Sequence, residues 1–123
     1  MKIEMMLIPS RKNVRLNEKE IAAVALVRTR VAKLAEKSGL VAEKKSAWTK
    51  FQKGERSLPR LALDADTEIA MLIGFTITDH PAVTQVTEAE AKKQHIGFAR
   101  GKVDMRHPEA VKVLEAAIAA IAQ

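Results

Sequence analysis

Two consecutive stretches, LAEKSGL at residues 34–40 and VAEKKSAWTKFQKG at residues 41–54, decide the fold that the sequence predicts. Ser38 and Gly39 are typical of a helix end, because glycine readily adopts the left-handed backbone that stops a helix. A second helix is predicted over residues 42–53. Val41, just before it, and Lys44, Trp48 and Phe51 lie along one side at helical spacing. Gly54 is expected to end this helix. The stretch therefore predicts two helices joined by a tight turn.

The first of these helices begins at a capping box. Asn17 is followed three residues later by Glu20, a spacing at which each side chain can bond the other residue's backbone N–H. Apolar residues then recur at helical spacing, which predicts a helix over residues 18–37. A third helix is predicted over residues 60–73, and its inward side chains would be Leu61, Ala65, Ile69, Leu72 and Ile73. These three helices are expected to form the core.

The character of the sequence changes after Gly74. Residues 75–78 and 82–86 are rich in residues that favour strands, so they predict a small hairpin, which could pair with residues 2–8. Thr87 and Glu90 repeat the capping-box spacing, which predicts a short helix ending before Gly97. Pro108 suits the first position of a final helix.

An apolar seam runs along that final helix, which is otherwise rich in alanine. Its members are Val111, Leu114, Ile118 and Ile121. Such a narrow seam suits close helix packing. Two alternatives stay open at this point: the helix docks on its own domain, or the seam makes a homodimer.

Charge is distributed unevenly along the chain, which has a net charge of +6. Residues 1–60 carry 15 Lys or Arg against 6 Asp or Glu, and residues 61–123 carry the remaining 6 against 9. A basic excess of this kind is typical of proteins that contact nucleic-acid phosphates, although it also occurs on surfaces that only keep a protein soluble. The few aromatic residues, Trp48 among them, argue against stacking on single strands, and Trp48 is expected in the core.

Cysteine is absent, which excludes disulfides, thiolate metal sites and cysteine catalysis, and favours a cytoplasmic location. The short apolar run at residues 5–8 does not suit a signal peptide or a membrane span. His80, His95 and His107 lack the spacing of a helical metal site. The sequence therefore predicts neither an enzyme nor a cofactor or metal.

The segment over residues 28–74 resembles the helix-turn-helix of the phage repressor and Cro-type DNA-binding family. The resemblance rests on Ala35, the turn glycine Gly39, the Ser46-Ala-Trp48 stretch and residues 54–59, GERSLP. In that family a small residue lets two helices cross closely, and the second helix enters the major groove. The resemblance implies a regulator or accessory factor, of the kind carried by phages and plasmids, that binds double-stranded DNA.

The side chains expected to contact DNA follow from this resemblance and from the faces that leave the predicted core. They are Arg28, Arg30, Lys33, Glu43, Lys44, Ser46, Thr49, Lys50, Lys53, Arg56 and Arg60. Short polar residues and lysines on the second helix would meet base edges or phosphates, and the remaining arginines and lysine would neutralise phosphates. The alternative function is a small adaptor or inhibitor whose basic face binds an acidic protein partner without nucleic acid.

The predicted fold is mainly α, with a helical core of three to five helices, a helix-turn-helix-like unit and room for a small β-hairpin. The predicted organisation is a single domain over residues 1–123. It divides into an N-terminal strand or arm at residues 1–16, a helical DNA-binding-like core at residues 17–74, and a hairpin plus C-terminal helices at residues 75–123.

Overall fold

A six-stranded antiparallel sheet organises the chain. The computed structural model describes residues 16–45 and 47–123. Their elements in chain order are α1 (Glu18–Lys37), β1 (Val41–Lys45), β2 (Trp48–Lys53), β3 (Arg56–Asp64), β4 (Ile69–Ile73), β5 (Val83–Gln85), α2 (Glu88–Lys93), β6 (Ala99–Asp104) and α3 (Ala110–Ala122). The strand order across the sheet is β1-β2-β3-β4-β6-β5. The fold is therefore α+β, and the prediction of a mainly α fold is wrong.

Helix α1 matches the prediction at both ends. Glu20 N donates to Asn17 Oδ1 at 2.8 Å, and Asn17 N donates to Glu20 Oε1 at 3.1 Å, which completes the capping box. At the other end Gly39 has a φ of +82°, and Leu40 N donates to Ala35 O at 3.0 Å. This is the Schellman arrangement, in which a left-handed residue lets the next N–H bond back into the last turn.

The second and third predicted helices do not form. Residues 42–45 and 48–53 instead lie in β1 and β2, and residues 60–73 lie mostly in β3 and β4. In β3, Leu61 and Leu63 face the main core whereas Ala62 belongs to the opposite cluster, the period of two that a strand imposes. A short apolar run buried on both faces resembles a helix segment in sequence, which explains the error. The helix-turn-helix expected over residues 28–74 is therefore absent, because strands replace its second helix.

The main core lies between one face of the sheet and the helices α1 and α3. Its fully buried side chains include Leu61 and Leu72 from the sheet, and Val24 and Val31 from α1. Helix α3 contributes Leu114, Ile118 and Ile121, each no more than 2% exposed, to the same core. The apolar seam of α3 therefore packs inside the chain, which is the first of the two alternatives drawn from the sequence.

The C-terminal part combines confirmed and incorrect predictions. The capping box of Thr87 and Glu90 starts α2 as expected. The final helix α3 also forms, but it begins at Ala110 after the N-cap Glu109, so Pro108 does not take its first position. The hairpin of residues 75–78 with 82–86 does not form, because β5 pairs with β6 instead. The expected partner strand at residues 2–8 lies outside the described residues.

Arg106 links the start of α1, the loop before β4 and the end of β6. Its guanidinium donates to Asp104 at 2.7 Å and lies 3.5 Å from Glu20 and 3.7 Å from Glu68. Burial alone would raise the pKa of Asp104, but the hydrogen bonds and charge of Arg106 outweigh it and lower that pKa. None of the helices in residues 16–45 and 47–123 has the length and apolarity needed to span a lipid bilayer.

Candidate functional site

The sheet face opposite α1 and α3, called the open face below, carries the candidate site. Strand pairing places Lys50 beside Ala62, and Ala62 beside Met71, in one row across β2, β3 and β4. In the adjacent row Arg60 pairs with Ile73. Register partners in an antiparallel sheet point to the same face, so these side chains lie together. The open face thus combines an apolar centre with two cations.

A cavity of about 170 Å³ opens on this face. Its floor is made by Ala62, Met71 and Ile73, and the indole of Trp48 lies at one side. The loop between α2 and β6 closes another side. The full lining consists of Trp48, Lys50, Arg60, Ala62, Met71, Ile73, His95, Ile96 and Gly97. Residues from three consecutive strands and from a loop that begins 22 residues after Ile73 therefore meet at one place.

Three basic side chains, Lys45, Lys50 and Arg60, form what we call the cationic cluster. Partial burial lowers the pKa of Lys50, and repulsion from Arg60 and then from Lys45 lowers it further, while Glu43 opposes the shift. The charged form of Lys50 is therefore disfavoured in the cationic cluster. A bound anion would stabilise this charged form.

Arg60 contributes an unsatisfied donor to the same place. Its Nε is buried and has no hydrogen-bond partner among the described residues. A buried donor without a partner costs about 1–3 kcal/mol, so a group left in this state in a folded protein needs an explanation. An anionic oxygen in the cavity would supply the missing acceptor.

Few carboxylates balance the cluster. Glu43 lies 3.8 Å from Lys45, and both side chains are more than half exposed, so this pair contributes little. In the part of the chain that the structure describes, no ion pair joins Lys50 or Arg60 to a carboxylate. These two cations are therefore available to a ligand.

His95 occupies an unusual backbone position at the cavity wall. It has a φ of +59°, and it follows α2 in the Schellman position that glycine usually takes. Ile96 N donates to Ala91 O at 2.9 Å, which fixes the loop against the helix. A side chain in the left-handed region costs energy that glycine would avoid. The chain nevertheless places an imidazole here, beside the cavity, and strained positions of this kind cluster at functional sites.

The structure divides the predicted DNA-contacting residues into separate groups. Lys50 and Arg60 meet in the cavity, and Glu43 lies beside them on the open face. Lys44 and Thr49 point towards the helix side of the sheet, since they pair with each other in the row next to Ala42 and Phe51. Arg30 and Lys33 are exposed on α1. Ser46 lies outside the described residues.

Three other predicted residues hold the fold together. Arg28 Nε donates to Asp64 O at 2.7 Å and its Nη2 donates to Thr67 O at 2.8 Å. Arg56 Nη2 donates to Ile121 O at 2.9 Å, and Lys53 Nζ donates to Gln123 O at 2.9 Å. All three bond backbone oxygens, the last two at the C-terminal end of α3, where cations stabilise the helix dipole.

The predicted dimerisation residues do not form an exposed seam on α3. Leu114, Ile118 and Ile121 are buried in the core, and Val111 is partly buried. The surface that they would offer to a second copy is already covered by the sheet and α1. A homodimer would therefore have to use another surface.

Of the nine residues that line the cavity, the sequence predicts only Lys50 and Arg60 as site residues. Ala62, Met71 and Ile73 were assigned to a helix, and the loop residues His95, Ile96 and Gly97 were given no role in the site. One available signal was the alternation of Trp48, Lys50 and Gln52 on one side of β2 with Thr49 and Phe51 on the other, since strands have a period of two.

Within residues 16–45 and 47–123, no group of three or more potential ligands among His, Asp and Glu could hold a metal ion. Comparison with models of protein families, with curated proteins and with solved structures found no match for this chain.

Proposed function

We propose that this protein binds DNA through the cationic cluster on the open face of its sheet. The observation that carries this proposal is the convergence of Lys50 and Arg60 on one cavity. Neither forms an ion pair with a carboxylate of the described residues, and Arg60 Nε is unsatisfied. Phosphate oxygens are strong acceptors, and guanidinium groups bind them with good geometry.

The proposed binding mode differs from the one that the helix-turn-helix resemblance implied. In residues 16–45 and 47–123, strands take the place of the predicted recognition helix, so the contacts would go mainly to the phosphate backbone. Such contacts position a protein on nucleic acid and give affinity that depends strongly on salt, while carrying little sequence information directly. An accessory factor with weak sequence preference, acting in the cytoplasm, fits these properties.

Fluorescence anisotropy with a labelled generic duplex tests the proposal. The double variant Lys50→Ala, Arg60→Ala should weaken binding roughly tenfold or more at about 0.1 M salt, since two phosphate contacts are lost. The matched control is Arg30→Ala, Lys33→Ala, which removes the same charge from exposed positions on α1. The control should bind nearly as well as the unchanged protein.

The same assay separates DNA from an acidic protein partner. Poly-glutamate added as a competitor has carboxylates at high density but no phosphates. Displacement of DNA by unlabelled duplex and not by poly-glutamate, at equal charge concentration, supports the proposal. Equal loss of binding in both double variants, or no binding to any DNA at low salt, would rule it out.

A further inference from the structure

We infer that the cavity beside Trp48 accepts one unpaired nucleotide, with its base inside the cavity and its phosphate on Lys50 and Arg60. This inference rests on the proposed binding of DNA and adds a preference for single strands. It concerns the ligand of the cavity, whereas the proposed function requires only that phosphates meet the cationic cluster.

The size of the cavity limits what can enter. Cavities that bury drug-sized ligands usually measure about 300–1,000 Å³, and this one measures about 170 Å³. A single ring system is therefore the largest group that it suits. A stretch of folded protein or a base pair would be too large, and a lone phosphate would leave the exposed part of the Trp48 indole uncovered.

The apolar residues of the lining suit a flat apolar group of a ligand. Ala62, Met71 and Ile73 provide a floor without hydrogen-bonding side chains, and all three are no more than 3% exposed. The indole of Trp48 is only partly buried, so an incoming ring can reach it. Bases stack on aromatic side chains regardless of their sequence, because every base has a π face.

The polar side chains of the lining indicate where the negative charge of a ligand would lie. Lys50 and Arg60 stand on adjacent strands as diagonal neighbours, whose positions in a sheet are about 7–8 Å apart, so their long side chains can converge on one phosphate. The unsatisfied Nε of Arg60 needs an acceptor, and His95 adds an imidazole at the other wall. A flat ring joined to an anion matches this arrangement, and a nucleotide is such a group.

Duplex DNA does not offer this group freely. Its bases are stacked and paired, and moving one out of the helix costs a few kcal/mol. An unpaired strand offers the base without that cost. Single strands should therefore occupy the cavity, while a duplex of the same sequence should bind only through its phosphates.

Trp48 makes the inference directly measurable, because it is the sole tryptophan of the sequence. Its fluorescence reports on the cavity alone. A single-stranded oligonucleotide should quench it, and a matched duplex at equal occupancy, measured by anisotropy, should leave it nearly unchanged. Inorganic phosphate should also leave it unchanged, since phosphate alone brings no ring to the indole.

A cavity-filling variant separates the inference from the proposed function. Ala62→Leu adds a side chain on the cavity floor and leaves both cations in place. It should lower affinity for the single strand by about 5- to 150-fold, the loss expected when one base no longer stacks, and keep duplex affinity. Ala119→Leu, the same change at an exposed position of α3, is the matched control.

A second variant covers the case in which Ala62→Leu fails to fold by circular dichroism. Gly97 lines the cavity, and its φ lies outside the left-handed region. Apart from its chain neighbours, no atom of the described residues lies within 4 Å of an added Cβ. Gly97→Leu should thus fold and also weaken single-strand binding. Unchanged single-strand affinity in a folded cavity variant, or a silent Trp48 when the strand is bound, would overturn the inference and leave DNA binding intact. Absence of all DNA binding would overturn both.

Discussion

The salt dependence of DNA binding follows in magnitude from the cationic cluster. Besides burial, the charges of Arg60 and Lys45 lower the pKa of Lys50, so the three side chains lie close together. If each neutralises one phosphate, the logarithm of the binding constant should fall with the logarithm of salt concentration with a slope of about −2.7 for duplex DNA. Raising salt from about 50 to 200 mM should then weaken binding by about 40-fold.

The double variant Lys50→Ala, Arg60→Ala should reduce this slope to about −0.9, because one phosphate contact remains. Anisotropy titrations of a labelled duplex at four salt concentrations would measure both slopes. The exposed double variant Arg30→Ala, Lys33→Ala should retain the full slope. A steep slope that is the same in all three proteins would refute the reasoning, because it would place the phosphate contacts elsewhere on the basic surface.

Three further predictions test the site and the fold. Because the pKa of Lys50 is lowered, DNA affinity should begin to fall at a pH below the ordinary lysine value of about 10.4, whereas Lys50→Arg should hold its affinity over that range. Because the pKa of Lys50 is lowered in the folded state, loss of its proton favours folding, so this titration does not itself unfold the chain. Equal pH profiles of the two proteins would contradict this role of Lys50. Gly39→Val should cost about 1–3 kcal/mol of unfolding free energy, since Gly39 has a φ of +82°, and Gly97→Val should cost less; urea denaturation would measure both. Replacing Leu114 and Ile118 with Glu should unfold the chain, because both side chains are buried in the core, and a folded variant by circular dichroism would show that α3 does not depend on that packing.

Local signals in the sequence correctly predict where α1 begins and ends and where α2 begins. Asn17 with Glu20 and Thr87 with Glu90 each form the capping box that their spacing predicts. Gly39 takes the left-handed conformation expected of it. These features involve residues only a few positions apart, so their energies do not depend on the rest of the fold.

The strands could not be assigned in the same way. Residues 42–45, AEKK, favour helices by their own propensity, yet they pair as the edge strand β1. Strand formation depends on the partner that a segment finds, and the partner of β1 is Trp48–Lys53 in β2. The apolar runs at residues 61–63 and 69–73 are similarly ambiguous, since a strand buried on both faces has no alternating pattern.

The sequence by itself determined the charge asymmetry, the absence of cysteine, the capped ends of two helices and the identity of the basic residues. Only the tertiary structure decided which of those basic residues act together. Arg28, Lys53 and Arg56 bond backbone oxygens, while Lys50 and Arg60 share a cavity with His95, which lies 35 residues beyond Arg60. Strand register and a helix-capping loop create that proximity, and neither leaves a pattern within any short stretch of the chain, because both depend on contacts between distant segments.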